Sequence, residues 1–211
     1  MTTLLALDIG GTKVGWGIVE AGDTYEVTER GSIPTDAMRG GADVAARICE
    51  LASSLVASHP QVEGVAVASA GVVDPSTGDI VSATGTMPGW GGTPLGSLLQ
   101  EATGLKVRVL NDVHAHGLGE ATLGAGQPYR TVLSIAVGTG IGGALVEDRQ
   151  VFFGSRGIAG HVGHIPHHFA PDMTCSCGRK GHIESFCSGS GITAWYDSLR
   201  GESDPEVDGG R

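Results

Sequence analysis

The stretch Leu4-Leu5-Ala6-Leu7-Asp8-Ile9-Gly10-Gly11-Thr12-Lys13-Val14-Gly15-Trp16-Gly17-Ile18-Val19 decides how the rest of the chain is read. Two short apolar runs, Leu4–Asp8 and Val14–Val19, flank the turn Gly10-Gly11-Thr12-Lys13. That is the pattern of two strands joined by a glycine turn. An acid at a strand end followed by two glycines lets backbone amides approach a phosphate closely. The Thr12 hydroxyl and the Lys13 charge can complete such a cradle. The spacing matches neither G-x-x-x-x-G-K-[ST] nor G-x-G-x-x-G. On these residues alone a plain hairpin turn explains the stretch equally well.

Further along, Tyr25–Pro34 reads as a third strand and Ala42–Ser58 as a helix, from apolar residues at helical spacing. Gly64–Val73 is a continuous apolar run of strand length. It ends in Ala70-Gly71 and the turn Asp74-Pro75-Ser76-Thr77-Gly78. Thr86–Gly92 (T-M-P-G-W-G-G) is a loop, and Thr93–Thr103 reads as a helix with Thr93 as its N-cap. Val107–Leu110 is a strand running into Asn111-Asp112, followed by a helix over Val113–Leu123. A strand over Thr131–Val137, the loop Gly138-Thr139-Gly140-Ile141-Gly142-Gly143 and a further strand to about Glu147 restart the pattern. This order predicts an α/β protein of two related lobes with a cleft between them.

Bulk composition narrows the function. The 211 residues suffice for one large or two small domains. Glycine is abundant, at 36 residues, and has no collagen-like period, so it marks tight turns and close backbone approach. The formal net charge of −10 argues against nucleic acid as a partner, because that binding neutralises phosphates with Lys and Arg. The N-terminus has no basic region followed by an apolar run of signal-peptide length, and no segment approaches the roughly 20 apolar residues of a membrane span. A cytoplasmic protein is expected, where clustered Cys and His favour metal over disulfides.

Three further segments carry chemistry. Gly138–Gly143 exposes backbone amides between two strands, as Gly10–Lys13 does. Two such loops facing each other across a cleft would suit a nucleotide triphosphate and its metal. Asn111-Asp112 stands at a strand-to-helix junction. There Asp112 can act as general base on a substrate hydroxyl with Asn111 orienting it, although Asp is also among the best helix caps. The last is Gly157–Glu184, which reads G-I-A-G-H-V-G-H, ten residues, then C-S-C-G-R-K-G-H-I-E. His164, Cys175, Cys177 and His182 would give zinc two nitrogen and two sulfur ligands. His167 and His168 read as a solvated loop, and Cys49 and Cys187 as buried small apolar residues.

Taken together, these motifs resemble the ROK family of sugar kinases and sugar-responsive repressors, within the actin-like ATPase (ribonuclease H-like) superfamily. The resemblance runs from about Leu4 to Gly191. The family's D-[IL]-G-G-T-K appears as Asp8–Lys13, its N-D-[VA]-[NH]-[AC] helix start as Asn111–Ala115, and its second phosphate loop as Gly138–Gly143. Its zinc signature appears as Cys175–Glu184. The resemblance implies a two-lobe α/β fold with lobes at 1–110 and 111–200, the second incomplete; the tail at 201–211 is polar and rich in turn residues and is expected to be disordered. It also implies ATP-dependent phosphorylation of the 6-hydroxyl of a hexose or N-acylhexosamine by a cytoplasmic homodimer. Asp112 matches the catalytic base. Ala70, Gly71, Thr86, Asn111, His161, His164 and Glu184 match sugar contacts. Asp8, Gly10, Gly11, Thr12, Lys13, Gly138, Thr139 and Gly140 match the ATP and magnesium elements. His164, Cys175, Cys177 and His182 match a structural zinc site, which fixes the loop that carries His164 and Glu184.

The chain departs from the family pattern at named positions. His161 stands where E-x-G-H has its carboxylate, His182 replaces the third cysteine, and Thr86 opens a loop that usually begins N-[LM]-P-x-W. Family members also continue well beyond Gly191, with helices that help bind adenosine and a last helix on the first lobe. The expectation is a truncated or naturally short form with an incomplete nucleotide site and uncovered apolar faces. The competing expectation is a sugar-sensing module without catalysis. The family's repressors carry a DNA-binding segment before the first motif, and here seven residues precede Asp8.

Overall fold

The computed structural model describes residues 1–169 and 171–200. The tail expected at 201–211 lies outside the described residues. The chain divides into two compact units, Met1–Asp112 and Val113–Arg211.

In the first unit, β1 (Thr2–Ile9), β2 (Lys13–Ala21) and β3 (Tyr25–Pro34) form an antiparallel meander. Helix α1 (Gly41–Ser58) then returns the chain so that β4 (Val62–Ser69) pairs parallel with β1. A two-stranded ribbon of β5 (Val72–Val73) and β6 (Ile80–Ser82), then α2 (Leu95–Thr103), lead to β7 (Lys106–Asn111), which is parallel to β4. The sheet order is β3-β2-β1-β4-β7. Leu5, Leu7 and Ile9 alternate inward along β1, Val65 and Val67 along β4, and Val107 and Val109 along β7. Helix α1 buries Val44, Ala45, Ile48, Ala52 and Leu55, a stripe at helical spacing, and belongs to the same core. Trp90 is fully buried beneath the T-M-P-G-W loop, and its Nε1 donates to Ser69 Oγ and the Ala70 carbonyl, each at 3.2 Å. A buried tryptophan of this kind contributes about 3–5 kcal/mol relative to alanine.

The second unit opens with α3 (Asp112–Thr122), whose first residue closes the first unit. It continues with an antiparallel sheet of β8 (Thr131–Val137), β9 (Ile141–Glu147) and β10 (Gln150–Val151), ordered β10-β9-β8. This meander repeats the β1-β2-β3 start of the first unit. Helix α3 lies so close to the sheet that a Cβ on Gly117 would fall 2.5 Å from the Ala144 methyl, so only glycine fits there. Two short helices follow, α4 (Glu184–Cys187) and α5 (Gly189–Arg200).

Several expectations are corrected. Helix α2 begins at Leu95, not Thr93. Pro94 occupies its cap position without a side-chain hydrogen bond, and Thr93 is buried with its carbonyl accepting from Ile80 N–H. The run 64–73 is not one strand, because Gly71 at φ 99° turns the chain between β4 and β5. Cys187 is exposed, against expectation, whereas Cys49 is half-buried and packs against the core of the first unit. His168 is exposed as expected, but His167 is half-buried, with its ring 5.6 Å from that of Phe186. Helix α5 was not anticipated. Ile192, Trp195, Tyr196 and Leu199 do have helical spacing, and Ser188 caps the helix by accepting from Gly191 N–H at 3.0 Å. That stripe is exposed, as are Leu133, Ile135 and Val137 of β8. No helix among the described residues is long and apolar enough to cross a membrane.

Candidate functional site

The first unit gathers its candidate residues at one edge of the sheet. β1, β4 and β7 are adjacent and parallel, with Ile9 opposite Ser69 and Ser69 opposite Asn111. Asp8, Ala70-Gly71 and Asn111-Asp112 therefore emerge together at the carboxyl ends of three neighbouring strands, where α/β sheets bind ligands. Asp8 lies between Gly15 on β2 and Ala68 on β4, and these small neighbours leave its carboxylate exposed. With strands about 4.8 Å apart, Asp8 and Asp112 sit roughly 10 Å from each other across the sheet.

Asn111 is buried, and its side-chain amide donates to the Gly71 carbonyl at 2.8 Å and to Asp112 Oδ1 at 2.9 Å. That grip fixes the orientation of the Asp112 carboxylate, which is itself exposed. The Asn111 NH₂ group thus serves both Asp112 and the backbone of Gly71.

The Gly10–Lys13 turn is closed by Gly10 N–H donating to the Lys13 carbonyl at 3.1 Å. A Cβ on Gly11 would lie 3.7 Å from the Thr86 carbonyl, so the turn and the T-M-P-G-W loop meet here. Thr12, Lys13 and Thr86 are exposed, and Thr86 Oγ1 lies 2.8 Å from Thr84 Oγ1. Sequence reasoning missed the residue that holds this turn. Thr35, 1% exposed, donates from Oγ1 to the Gly10 carbonyl at 2.6 Å and from its N–H to the Thr12 carbonyl at 3.0 Å. Arg47 of α1 donates in turn to the carbonyls of Thr35 and Pro34. A lone threonine after a strand carries no signal of this role. Thr35→Val keeps the shape but orphans the Gly10 carbonyl, and is expected to cost about 1–3 kcal/mol in urea unfolding. An unchanged midpoint would remove Thr35 from the support of the turn.

In the second unit, the loop Gly138–Gly140 joins β8 to β9, with Gly138 and Thr139 exposed. It is tied down from one side by the chain around α4. Gly189 N–H donates to the Gly138 carbonyl at 2.8 Å and Ser190 Oγ to the Thr139 carbonyl at 2.7 Å. Glu184 Oε2 accepts from Ile141 N–H at 2.9 Å.

His164, Cys175, Cys177 and His182 converge, with one ligand atom of each lying within 4.8 Å of all the others. Cys175 Sγ is 3.5 Å from His164 Nδ1, and Cys177 Sγ is 3.3 Å from His182 Nδ1. Zinc at about 2.3 Å from sulfur and about 2.0 Å from nitrogen gives tetrahedral edges of ~3.5 Å, so two such edges are already present. The donor set and its spacing fit zinc. His182, in a cysteine's place, is brought to the site by the bridges Pro166–His182 and Thr174–Lys180. Without metal, burial pushes the Cys175 thiol up to about 11.

Beside this cluster, His161 lies 5.7 Å from His114 and 6.2 Å from His164, centroid to centroid. Its Nε2 is buried without a hydrogen-bond partner. Burial, then the neighbouring His114 and His164, hold its pKa below the ordinary imidazole value, which favours the neutral ring. Glu184 is half-buried. Burial acts to raise its pKa, but hydrogen bonds from Ser176 Oγ at 2.5 Å and Ile141 N–H outweigh it and hold the carboxyl below its usual range.

These arrangements invite comparison with known proteins. A glucokinase of Halalkalibacterium halodurans is 32% identical over 195 residues, covering 89% of this chain and 57% of that one. An N-acetylmannosamine kinase of Yersinia pestis is 35% identical over 195 residues, covering 90% of this chain and 62% of the relative. The ROK family glucokinase from Streptomyces griseus, solved in complex with glucose and AMPPNP, superposes with a TM-score of 0.78 at 28% identity. That superposition covers 94% of this chain and 61% of that one. The chain thus spans about three fifths of the length of these relatives. The likeness includes the α/β architecture and extends well past any single motif, and the ROK family model matches residues 4–207. The chain belongs to the ROK family.

Proposed function

We propose that this protein is an ATP-dependent sugar kinase acting on the 6-hydroxyl of a hexose or N-acylhexosamine. The observation that carries the reading is Asp112, an exposed carboxylate at the carboxyl end of β7 whose Oδ1 is held by the buried Asn111. Asp112 takes the hydroxyl proton as the sugar oxygen bonds to the γ-phosphorus, and ADP leaves with the electron pair of the broken phosphoanhydride bond. The reaction is chiefly positioning and charge stabilisation. In the first unit the backbone amides of Gly10–Lys13 would hold phosphate oxygens and Asp8 would hold a magnesium ion that neutralises their charge; in the second unit the amides of Gly138–Gly140 offer the same kind of phosphate contact. The sugar contacts proposed are Ala70, Gly71, Thr86 and Asn111 in the first unit and His161, His164 and Glu184 in the second. When bound at His164, Cys175, Cys177 and His182, zinc fixes the fold of residues 164–184 and supplies no reaction chemistry. An acidic chain with four free cysteines suits a cytoplasmic setting, and the homodimer rests on the family resemblance.

The test is ADP release from the chain with glucose, N-acetylglucosamine, N-acetylmannosamine, mannose and allose. Sugar-dependent release is expected. Sugar binding without release would favour the sensing module instead.

His161 bears on which sugar is chosen. A neutral imidazole with an unpartnered Nε2 offers one hydrogen bond there, where a carboxylate accepts several. His161→Glu is therefore expected to change the ratio of kcat/KM between the best sugar and its competitors by about 10-fold or more. Unaltered ratios across the panel would show that His161 does not face the sugar.

A further inference from the structure

We propose that Glu184 is a positioning residue that couples the zinc knuckle to the second glycine loop, so that metal occupancy sets the affinity for nucleotide phosphates. This rests on the reading of Gly138–Gly143 as a phosphate loop. The observation is that one carboxylate bridges two otherwise separate parts of the second unit. Its Oε2 accepts from Ile141 N–H at 2.9 Å, at the point where the loop enters β9. Its Oε1 accepts from Ser176 Oγ at 2.5 Å and from the Cys175 thiol at 3.3 Å, both inside the knuckle. Gly140 leaves room for this bridge, since a Cβ there would lie 2.7 Å from Glu184 Oε2.

The backbone around Glu184 adds to the clamp. Ser188 Oγ donates to the Glu184 carbonyl at 2.7 Å, and Gly189 and Ser190 donate to the carbonyls of Gly138 and Thr139. Residues 184–190 thus hold the loop at three positions, Gly138, Thr139 and Ile141.

On its other side, the bridge is only as firm as the knuckle. Among the described residues the knuckle has no disulfide, and Ser176, Cys177, Arg179 and Lys180 are exposed. Among the described residues its backbone support between Thr174 and Lys180 is a tight turn, with Cys175 N–H donating to the Arg179 carbonyl and Gly178 N–H to the Cys175 carbonyl. A metal shared by Cys175, Cys177, His164 and His182 is what makes such a segment rigid. Zinc binding displaces the Cys175 proton, so in the zinc-bound form the Ser176 hydroxyl alone ties Oε1 to the knuckle. With the metal gone and the knuckle loosened, Ser176 is no longer held in place, Glu184 gains rotamer freedom, and the Ile141 amide loses a fixed charge-assisted acceptor. The loop amides are then no longer held in the orientation a phosphate needs.

The test measures amide hydrogen exchange over residues 138–143 and, separately, Mg-AMPPNP affinity by calorimetry, each with zinc bound and after chelation. In the parent chain, zinc removal is expected to speed loop exchange and weaken nucleotide binding, each by about tenfold. Glu184→Ala is expected to exchange fast whether or not zinc is present. Glu184→Gln keeps an acceptor for Ile141 N–H and is expected to restore protection in the zinc-bound form. Ser176→Ala leaves the Ile141 contact but cuts the tie to the knuckle, and its loop is expected to respond less to zinc. Loop exchange that is the same with and without zinc would overturn the coupling, whatever the nucleotide does. Loop exchange that follows zinc while nucleotide affinity stays constant would instead overturn the phosphate-loop reading and, with it, the effect on affinity.

Discussion

Asp112→Asn is expected to lower turnover by roughly 10³-fold while sugar affinity changes only a few-fold, because a positioned general base typically supplies 10²–10⁴-fold. The substitution is nearly isosteric. Asn111 Nδ2 can still donate to the side-chain oxygen at position 112, so the grip at the end of β7 survives. What is lost is the ability to take a proton from the sugar hydroxyl as its oxygen attacks. Single-turnover phosphoryl transfer and sugar binding by calorimetry separate the two effects. Wild-type turnover in this variant would remove Asp112 from the chemistry. A parallel collapse of sugar binding and fold would instead make Asp112 a structural residue at the start of α3.

The second large effect is expected at the metal. Cys177→Ser and His182→Ala should each reduce bound zinc from one ion per chain to a small fraction. Each should also lower the thermal midpoint by about 10 °C, corresponding to ~3 kcal/mol or more in a chain of this size. The reason lies in how little else holds residues 164–184. A pair of isolated bridges and a tight turn stand there in place of a core, and Cys177 itself is exposed. Zinc binding must also displace the proton of the buried Cys175 thiol, whose pKa is pushed up to about 11. The sign follows: zinc affinity rises with pH and falls on acidification, as more ligand protons have to be released. Metal analysis together with calorimetric scans at two pH values checks both parts. A chelated protein that melts like the zinc-loaded one would rule out the structural role.

Legibility in the sequence tracked how local each feature is. The β1–β2 hairpin could be read because two short apolar runs and a glycine turn declare themselves within sixteen residues. Tyr25–Pro34 was read with the bounds that β3 has. The order of elements was legible for the same reason, and with it the α/β architecture. The four metal-binding candidates could be picked from their residue types, and the structure brings all four together. The start of α2 was misplaced because a good capping residue, Thr93, is used instead in a backbone contact with Ile80. The break at Gly71 was hidden inside an apolar run, since composition there is that of a strand and only the positive φ reveals the turn. Helix α5 has apolar residues at helical spacing, but they stay exposed rather than packing into a core, so burial does not mark the helix.

By itself, then, the sequence determined the residue types available for chemistry, the order of strands and helices, and membership of a family recognisable from ordered motifs. The tertiary structure alone decided how those residues are held. Thr35 and Arg47 support the first glycine turn from 25 and 37 residues beyond Gly10, Asn111 serves Asp112 and Gly71 at once, and Glu184 bridges loop and knuckle. Each of these is a hydrogen bond between groups distant in the chain, or a choice among several partners within reach. A hydrogen bond needs its donor and acceptor within about 3 Å and well aligned. Sequence spacing cannot supply that geometry until the sheet has set the strands side by side.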